Sequence, residues 1–317
     1  MLTSVEGLVD EVIVIDTGSR DETVQIARSH GAKVEHFDWC NDYAAARNYS
    51  ISFAKSDWIL ILDADERLEL TDREKVLEAV QQNSHAYYLQ RLHYQKSENF
   101  HYFEKLPQGD FYNSLGAVGY YKTRDLRLYP NIEGIVFEGV LHESPEDSMR
   151  RVNKFSLEDS NIRVHHIGAL LDGEQLALKI QRYLSLAEAK LRADDSDWRN
   201  WFQLGAECQS AGFNEKAVAC FSKATELMPD MAMCWRQLGI SLVVMEDYSA
   251  GAKALARASE IDGRCVITWN ALGVCLMKSG FYRESKVCFE TALSLDPNGF
   301  LPKSNLIALA SLESKAG

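Results

Sequence analysis

Short apolar runs alternate with stretches of mixed polarity along the first half of the chain. Residues 12–15, 33–37 and 58–62 are predicted strands, and the last of these runs is apolar throughout. Between them, helices are predicted over residues 19–31 and 42–54. This alternation of strand and helix predicts an α/β domain with a mostly parallel sheet and helices on its faces.

Three of the predicted helices have polar residues at their starts. Ser19 and Glu22 have the spacing of a capping box, and so do Thr71 and Glu74. Asp42 is the predicted N-cap of the second helix, because an Asp side chain can accept a hydrogen bond from a backbone amide at the helix start. These signals fix where we expect each helix to begin.

The second half of the chain repeats with a fixed period. Trp201, Trp235 and Trp269 are spaced by 34 residues each time, and each is followed three and four residues later by Leu and Gly. This is the period and pattern of the tetratricopeptide repeat, whose paired helices stack on their neighbours. The predicted segments after an α/β domain at 1–168 are a connecting helix, three repeats and a capping helix, over 169–197, 198–299 and 300–317.

Composition and charge narrow the class of protein. The 317 residues are 46% hydrophobic and 25% charged, which is ordinary for a soluble protein. The formal net charge of −12 argues against a duplex nucleic-acid partner, because phosphate binding requires a basic face. No apolar run is long enough to span a bilayer, and the seven cysteines form no CxxC pair. A cytoplasmic protein is expected.

Acidic residues follow two of the predicted strands. Asp16 follows the first strand, and Asp63 and Asp65 follow the apolar strand at 58–62. In open parallel sheets ligands bind beyond the carboxyl ends of the strands, and an Asp-x-Asp there can hold Mg²⁺ or Mn²⁺ against a diphosphate. A solvated acidic turn is the alternative. The buried strand before the motif and the second acidic strand end favour the metal site.

Five ordered motifs resemble glycosyltransferase family 2, a family with the GT-A fold. They lie at residues 9–19, 41–48, 57–66, 127–130 and 137–143, and the resemblance covers about residues 4–168. Together with the repeats, the chain is similar to bacterial family 2 enzymes fused to tetratricopeptide repeats, such as the sublancin-type peptide S-glycosyltransferases. The resemblance implies transfer of a sugar from a nucleotide-diphosphate donor, with Mg²⁺ or Mn²⁺ as cofactor.

The same resemblance suggests roles for four residues of the first half. Asp16 would hold the nucleoside, Asp63 the ribose or a metal-bound water, and Asp65 the metal ion itself. Arg47 could reach the phosphates of the donor, since Arg binds phosphate in a bidentate geometry. Its structural alternative is a side chain that snorkels to solvent or forms an ion pair with Asp42 or Asp65.

The last motif supplies candidates for the chemical step. Family 2 enzymes invert the anomeric carbon, which requires a carboxylate to take the proton of the acceptor. Glu143 is the predicted base and His142 a second metal ligand, whereas the alternative is a strand-end pair without chemistry. Glu138 is the rival base. His165 and His166, at the domain junction, are expected to be packing histidines.

The resemblance also predicts an N-terminally incomplete domain. The family begins with a buried central strand and a helix, whereas only residues 1–7, the end of that helix, precede the first motif here. Unpartnered edges are therefore expected on the strands at 12–15 and 58–62. A weakly stable N-terminal half without measurable sugar transfer is the corresponding expectation for the chain as it stands.

Three functions remain after this reasoning. The first is an inverting glycosyltransferase whose repeats bind a protein or peptide, with a peptide, protein or saccharide as acceptor. The second is a non-enzymatic adaptor in which the repeats bind a partner and a degenerate transferase domain is scaffold. The third, a metal-dependent nucleotidyltransferase, has little support because no Gly-rich phosphate loop with a Lys or Arg occurs.

Overall fold

The computed structural model describes residues 1–82, 84–96, 104–139, 143–170, 173–297 and 299–316. The chain divides into two compact units, Met1–Gly173 and Glu174–Gly317. In the described part of the chain, no helix is both long enough and apolar enough to cross a membrane.

The first unit contains strands and short helices. Its strands are β1 (Ile13–Asp16), β2 (Lys33–His36), β3 (Trp58–Leu60), β4 (Glu66–Leu68), β5 (His85–Gln95), β6 (Glu104–Lys105), β7 (Gly119–Pro130) and β8 (Ser156–His166). Its α-helices are α1 (Leu2–Val5), α2 (Thr23–Ser29), α3 (Tyr43–Ile51), α4 (Arg73–Ala79) and α5 (Glu146–Val152). Short 3-10 helices span Leu70–Asp72, Phe111–Leu115 and Gly168–Leu170.

The strands form two sheets, and the prediction of a mostly parallel sheet is wrong. β1 and β2 make a parallel pair. The larger sheet has the order β3-β7-β5-β8-β4, with β6 on β7, and is antiparallel except for the β5–β8 pair. The long strands β5 and β7, which pair along most of their length, dominate this sheet. The α/β class of the domain is nevertheless confirmed.

Each face of the larger sheet has its own apolar cluster. Ala44 of α3 and Met149 of α5 pack with Tyr129 of β7 in one cluster. Val5 of α1 and Val76 of α4 belong to the other, with residues of β4, β5 and β8. The short helices therefore owe their stability to the sheet that they cover rather than to their length.

A cavity of about 780 Å³ lies beside β1 and β3. Among the described ladders, β1 pairs only with β2 and β3 only with β7, in agreement with the expected unpartnered edges. Apolar side chains from several elements line the cavity, among them Val9, Ile13, Ile51, Trp58, Leu60 and Val80. Asp16, Asp63 and Asp65 do not line this cavity.

One of the three capping predictions is confirmed. The Asp42 side chain accepts a hydrogen bond from the backbone amide of Ala45 and caps α3. The two capping boxes are wrong, since α2 begins at Thr23 and α4 at Arg73. The amide of Ser19 instead donates to Asp16 within the turn after β1.

The second unit consists of helices. They are α6 (Gly173–Ala193), α7 (Trp198–Ser210), α8 (Asn214–Leu227), α9 (Ala232–Val244), α10 (Tyr248–Ile261), α11 (Val266–Lys278), α12 (Tyr282–Leu295) and α13 (Phe300–Ala316). The three repeated tryptophans make the same local contact. Each indole donates to the carbonyl oxygen six residues earlier at 2.8 Å, in Trp201, Trp235 and Trp269 alike.

Small residues let the paired helices of this unit approach closely. In each of three pairs, a Cβ added to one glycine would lie within 2.8 Å of a side-chain atom of the partner helix. These contacts are Gly205 against Phe221, Gly239 against Leu255, and Gly273 against Phe289. The glycine of one helix and the large apolar residue of the next helix therefore pack against each other in each repeat.

Candidate functional site

The Asp-x-Asp motif forms a tight turn between β3 and β4. The amide of Asp63 donates to Glu66 Oε2 at 2.7 Å, and the amide of Glu66 donates to the carbonyl oxygen of Asp63 at 3.0 Å. The Glu66 side chain is fully buried and closes the turn from inside. This reciprocal bonding fixes the backbone that carries both aspartates.

Arg47 connects this turn with the last motif of the first unit. Arg47 lies on α3, and its Nη2 donates to Asp63 Oδ1 at 2.5 Å while its Nε donates to Glu143 Oε1 at 2.7 Å. Burial alone would lower the pKa of Arg47, but the carboxylates of Asp63 and Glu143 raise the pKa above its ordinary value. The structural alternative predicted from the sequence was an ion pair with Asp42 or Asp65. In the structure, Arg47 pairs with Asp63 and Glu143 instead.

Two further arginines complete a buried ion network. Arg127 lies 3.2 Å from both Asp63 Oδ2 and Glu66 Oε2, and Arg91 Nε lies 2.7 Å from Glu66 Oε1. Burial alone would raise the pKa of Asp63, but the attraction of Arg47 and Arg127 lowers the pKa well below its usual range. Asp63 is therefore ionised and neutralised by protein cations.

Asp65 lies beside a histidine. Antiparallel pairing of β4 with β8 sets Glu66 opposite His166, and His166 Nε2 lies 3.4 Å from Asp65 Oδ2. A Cβ on Gly168 would lie 2.4 Å from Asp65 Oδ2 and 2.9 Å from His166 Nε2, so only glycine leaves this space open. One oxygen and one nitrogen at this separation fit two neighbouring ligands of one divalent metal ion.

The two adjacent histidines of β8 have different surroundings. His165 is buried, its ring stacks on Tyr94 and Tyr112, and its Nδ1 lies 2.7 Å from the Tyr94 hydroxyl. This agrees with the packing role expected from the sequence. His166 lies instead beside Asp65, so packing alone does not describe its position.

His93 of β5 lies next to His166. The two Nδ1 atoms are 3.1 Å apart, and the His93 ring stacks on Tyr121 with centroids 4.7 Å apart. Burial and the nearby Arg91 guanidinium lower the pKa of His93 to about 3, so its ring is neutral at physiological pH.

Glu143 and Glu138, the two predicted bases, differ in exposure and partner. Glu138 forms a bidentate ion pair with Arg151, with distances of 2.6 and 3.1 Å, and its side chain is 43% exposed. The Glu143 side chain is only 11% exposed and lies against Arg47. His142, the predicted second metal ligand, lies outside the described residues. Among the described residues, no group of three or more His, Cys, Asp or Glu side chains could hold a metal ion.

Asp16 lies at the end of β1, in the smaller sheet. Its Oδ1 accepts from the amide of Ser19 at 3.0 Å and its Oδ2 lies 3.7 Å from His36 Nδ1. Hydrogen bonds from Ser19 lower the pKa of Asp16. The carboxylate is therefore fixed by the turn that follows the strand.

Besides His166, which was expected only to pack, four residues of this site were not recognised from the sequence. Arg127 and Glu66 lie within the motifs at residues 127–130 and 57–66, but neither was assigned a role. Arg91 and His93 reach the site from β5 through strand pairing that no local pattern encodes. A buried charged residue inside a strand, as at Arg127, is the signal that could have been used.

Two segments of the chain match models of known families. Residues 2–142 match the family model Glycosyl transferase family 2, and residues 266–298 match the Tetratricopeptide repeat. The first unit thus contains a glycosyltransferase family 2 domain, and the second is a helical tetratricopeptide-repeat unit.

Individual relatives match parts of the chain. The SPbeta prophage-derived glycosyltransferase SunS of Bacillus subtilis is 26% identical over 225 residues, which are 70% of this chain and 49% of that protein. An uncharacterized glycosyltransferase of Rickettsia bellii is 44% identical over 82 residues, 25% of this chain and 28% of that protein. A crystal structure of MamA is 16% identical with a TM-score of 0.42, over 44% of this chain and 77% of that one. The chain spans at most about half the length of these two curated relatives.

Proposed function

We propose that the first unit transfers a sugar from a nucleotide-diphosphate donor to an acceptor, with inversion at the anomeric carbon. The observation that carries this proposal is the convergence of the Asp63–Asp65 turn, Arg47, Glu143 and His166 at the end of β3. It occurs within a unit whose residues 2–142 match the glycosyltransferase family 2 model.

Asp65 and His166 would hold a divalent metal ion, Mg²⁺ or Mn²⁺. Their Oδ2 and Nε2 atoms are 3.4 Å apart beside Gly168, and His142 remains the proposed further ligand. Oxygens of the donor diphosphate would complete the coordination, because two or three protein ligands leave open positions. When bound, the metal supplies positive charge that stabilises the departing diphosphate.

The remaining donor contacts are assigned to residues with a fixed charge. Arg47 carries a permanent positive charge between two carboxylates, and a donor phosphate would replace one of them as its partner. Asp16 would accept hydrogen bonds from the nucleoside, and Asp63 from the ribose or a metal-bound water. Asp63 already has two arginine partners, which keep it ionised for that role.

Glu143 is the proposed base that takes the proton of the acceptor. Its side chain is mostly buried beside Arg47, whereas Glu138 is occupied by the exposed Arg151. If a donor phosphate becomes the partner of Arg47, the Glu143 carboxylate loses its ion pair and is free to contact the acceptor. Donor binding would thus prepare the base.

The repeats are proposed to bind a protein or peptide, which is the acceptor or carries it. Stacked helix pairs form an extended surface of the kind that repeat proteins use for binding. The alternative acceptor of the sugar is a saccharide, in which case the protein or peptide bound by the repeats is not the acceptor.

Release of nucleoside diphosphate from a panel of UDP- and GDP-sugars in the presence of Mn²⁺ tests the proposal. Glu143→Gln is expected to lower release by at least about 100-fold, as for loss of an acid–base group. Asp65→Asn, which removes a proposed metal ligand, should also lower release. Glu138→Gln is the matched control and should leave release close to that of the unchanged chain.

Two results would contradict this assignment. A large loss in Glu138→Gln, with release by Glu143→Gln close to that of the unchanged chain, would transfer the base role to Glu138. No release by the unchanged chain from any donor is the outcome expected of an incomplete domain, and it would favour the adaptor function, in which the first unit is a scaffold without transferase activity.

A further inference from the structure

We propose that Asn48 is a positioning residue that holds Glu143, the proposed base, in place from the neighbouring helix α3. Asn48 acts through the backbone of Phe137, the residue that leads into the segment 138–144 in which Glu143 lies. The inference rests on the proposed function for the role of Glu143 as base. The anchoring itself can be measured without donor, metal or turnover.

Side chains bind the backbone of Val136 and Phe137, which lie outside the described strands. The Ser148 hydroxyl of α5 accepts from the Val136 amide at 3.0 Å, and its oxygen lies 2.7 Å from the Val136 carbonyl oxygen. The Asn48 side chain accepts from the Phe137 amide at 2.7 Å and donates to the Phe137 carbonyl oxygen at 2.9 Å. Two helices therefore anchor two consecutive residues.

The side-chain carboxamide of Asn48 matches both backbone polar groups of Phe137. A carboxamide offers one acceptor oxygen and one donor nitrogen, and a backbone residue offers one N–H and one carbonyl oxygen. Because the N–H can only donate and the carbonyl can only accept, Oδ1 must face the first and Nδ2 the second. Phe137 is buried, so water does not readily replace a lost partner. An aliphatic residue at position 48 would leave both groups unpaired.

The anchored residue is linked to Glu143 through a backbone bridge. Glu138, which follows Phe137 directly, exchanges two backbone hydrogen bonds with Ser144, at 3.0 and 3.1 Å. Glu143 directly precedes Ser144. The position of the Glu143 main chain therefore depends on the anchor at Phe137.

The same helix holds the carboxylate of Glu143. Arg47, the residue before Asn48, donates from Nε to Glu143 Oε1 at 2.7 Å, and its guanidinium carbon lies 5.7 Å from the centre of the Phe137 ring. A donor phosphate that becomes the partner of Arg47 would remove this ion pair. The Asn48 anchor does not depend on that pair, so it keeps Glu143 at the site when a base is needed.

Hydrogen exchange of the Arg47 Nε–H tests the anchor. The exchange is followed by NMR of the full chain labelled with ¹⁵N-arginine, with the signal assigned through Arg47→Lys. Glu143→Ala gives the exchange rate for a lost ion pair. Asn48→Ala is expected to raise the rate by roughly tenfold, toward that of Glu143→Ala, because two unpaired groups at Phe137 favour local opening of the segment.

Ser148→Ala is the matched control, because it removes the neighbouring anchor at Val136. Since the Asn48 anchor lies between that one and Glu143 along the chain, the exchange rate of the Arg47 Nε–H should stay close to that of the unchanged chain. Equal rates in Asn48→Ala and the unchanged chain, or equal increases in the two alanine variants, would overturn the inference.

The unchanged chain supplies a test that does not depend on the folding of a variant. The amide proton of Phe137 is donated to Asn48 Oδ1. It should therefore exchange at least about tenfold more slowly than an amide of an unstructured peptide. Exchange at the rate of an unstructured peptide would overturn the inference.

Release of nucleoside diphosphate separates positioning from a merely structural role. Asn48→Ala should lower kcat without raising the KM for the donor, since no donor contact is assigned to Asn48. In a chain that already carries Glu143→Gln, Asn48→Ala should cause no further loss, because the carboxylate that it positions is gone. A further loss in that background would overturn the inference. No release by the unchanged chain would count against the proposed function, and the exchange rates would then decide the anchor alone.

Discussion

Buried carboxylates of the first unit take their properties from the cations around them. Asp72 is the clearest case outside the candidate site, because its side chain is 1% exposed and accepts from Arg163 Nε at 2.8 Å and Lys75 Nζ at 2.6 Å. Burial alone would raise its pKa, but these hydrogen bonds lower the pKa of Asp72 to about 2. A charged Asp72 therefore stabilises the fold.

Asp72→Asn is expected to destabilise the first unit by about 2 kcal/mol at pH 7. A lowered folded-state pKa contributes stability above the unfolded-state value, and this contribution is lost as pH falls from about 4 to about 2. Urea denaturation at pH 7 and pH 3 should therefore show a difference from wild type that shrinks with acid. Asp38→Asn, at a fully exposed side chain, is the control. A difference that stays constant with pH would contradict the assignment.

Single residues were predictable where a local motif marked them. The strand before Asp63 and Asp65 and the helix that carries Arg47 were visible in the sequence, and Asp42 caps that helix as expected. His166 was not recognised, because its place beside Asp65 depends on the register between β4 and β8. Strand register of distant segments is a long-range property that side-chain spacing does not encode.

Elements were predictable to different degrees in the two units. The period of 34 residues specified paired helices because each repeat makes the same local contacts, such as the Trp269 indole with the carbonyl of Gly263. The sheet was misjudged because alternating strands and helices at the start of the chain give way to β5 and β7, which pair antiparallel. The direction of a strand depends on whether the connection before it is a hairpin or a crossover. The pattern of strands and helices in the sequence predicted these connections only for the first three strands.

Gly273→Ala is expected to destabilise the second unit by about 1–3 kcal/mol, as overpacking does. The added Cβ would lie 2.5 Å from the ring of Phe289, which is fully buried and cannot move away. Gly263→Ala is the matched control, since its nearest atom would be 3.5 Å away. Thermal unfolding followed by circular dichroism measures both. Equal melting temperatures would show that the α11–α12 contact tolerates the extra carbon.

At the scale of the whole molecule, the chain consists of two units with separate cores. Residues 174–317 are expected to fold alone as a helical protein, because each repeat buries its surface mainly against neighbouring repeats. Expression of this fragment and a cooperative thermal transition by circular dichroism test this. An insoluble or unfolded fragment, together with a single transition of the full chain, would contradict two independent units.

The central claim is that Asp65 binds a metal ion together with a donor diphosphate. Isothermal titration calorimetry of Mn²⁺ into the full chain, with and without UDP or GDP, tests it most directly. Because each ligand supplies oxygens or charge to the other's complex, Mn²⁺ should bind more tightly when the diphosphate is present. Asp65→Asn and Gly168→Ala should abolish this synergy, whereas Gly263→Ala should keep it. Equal Mn²⁺ affinity with and without either nucleotide in the unchanged chain would contradict the account.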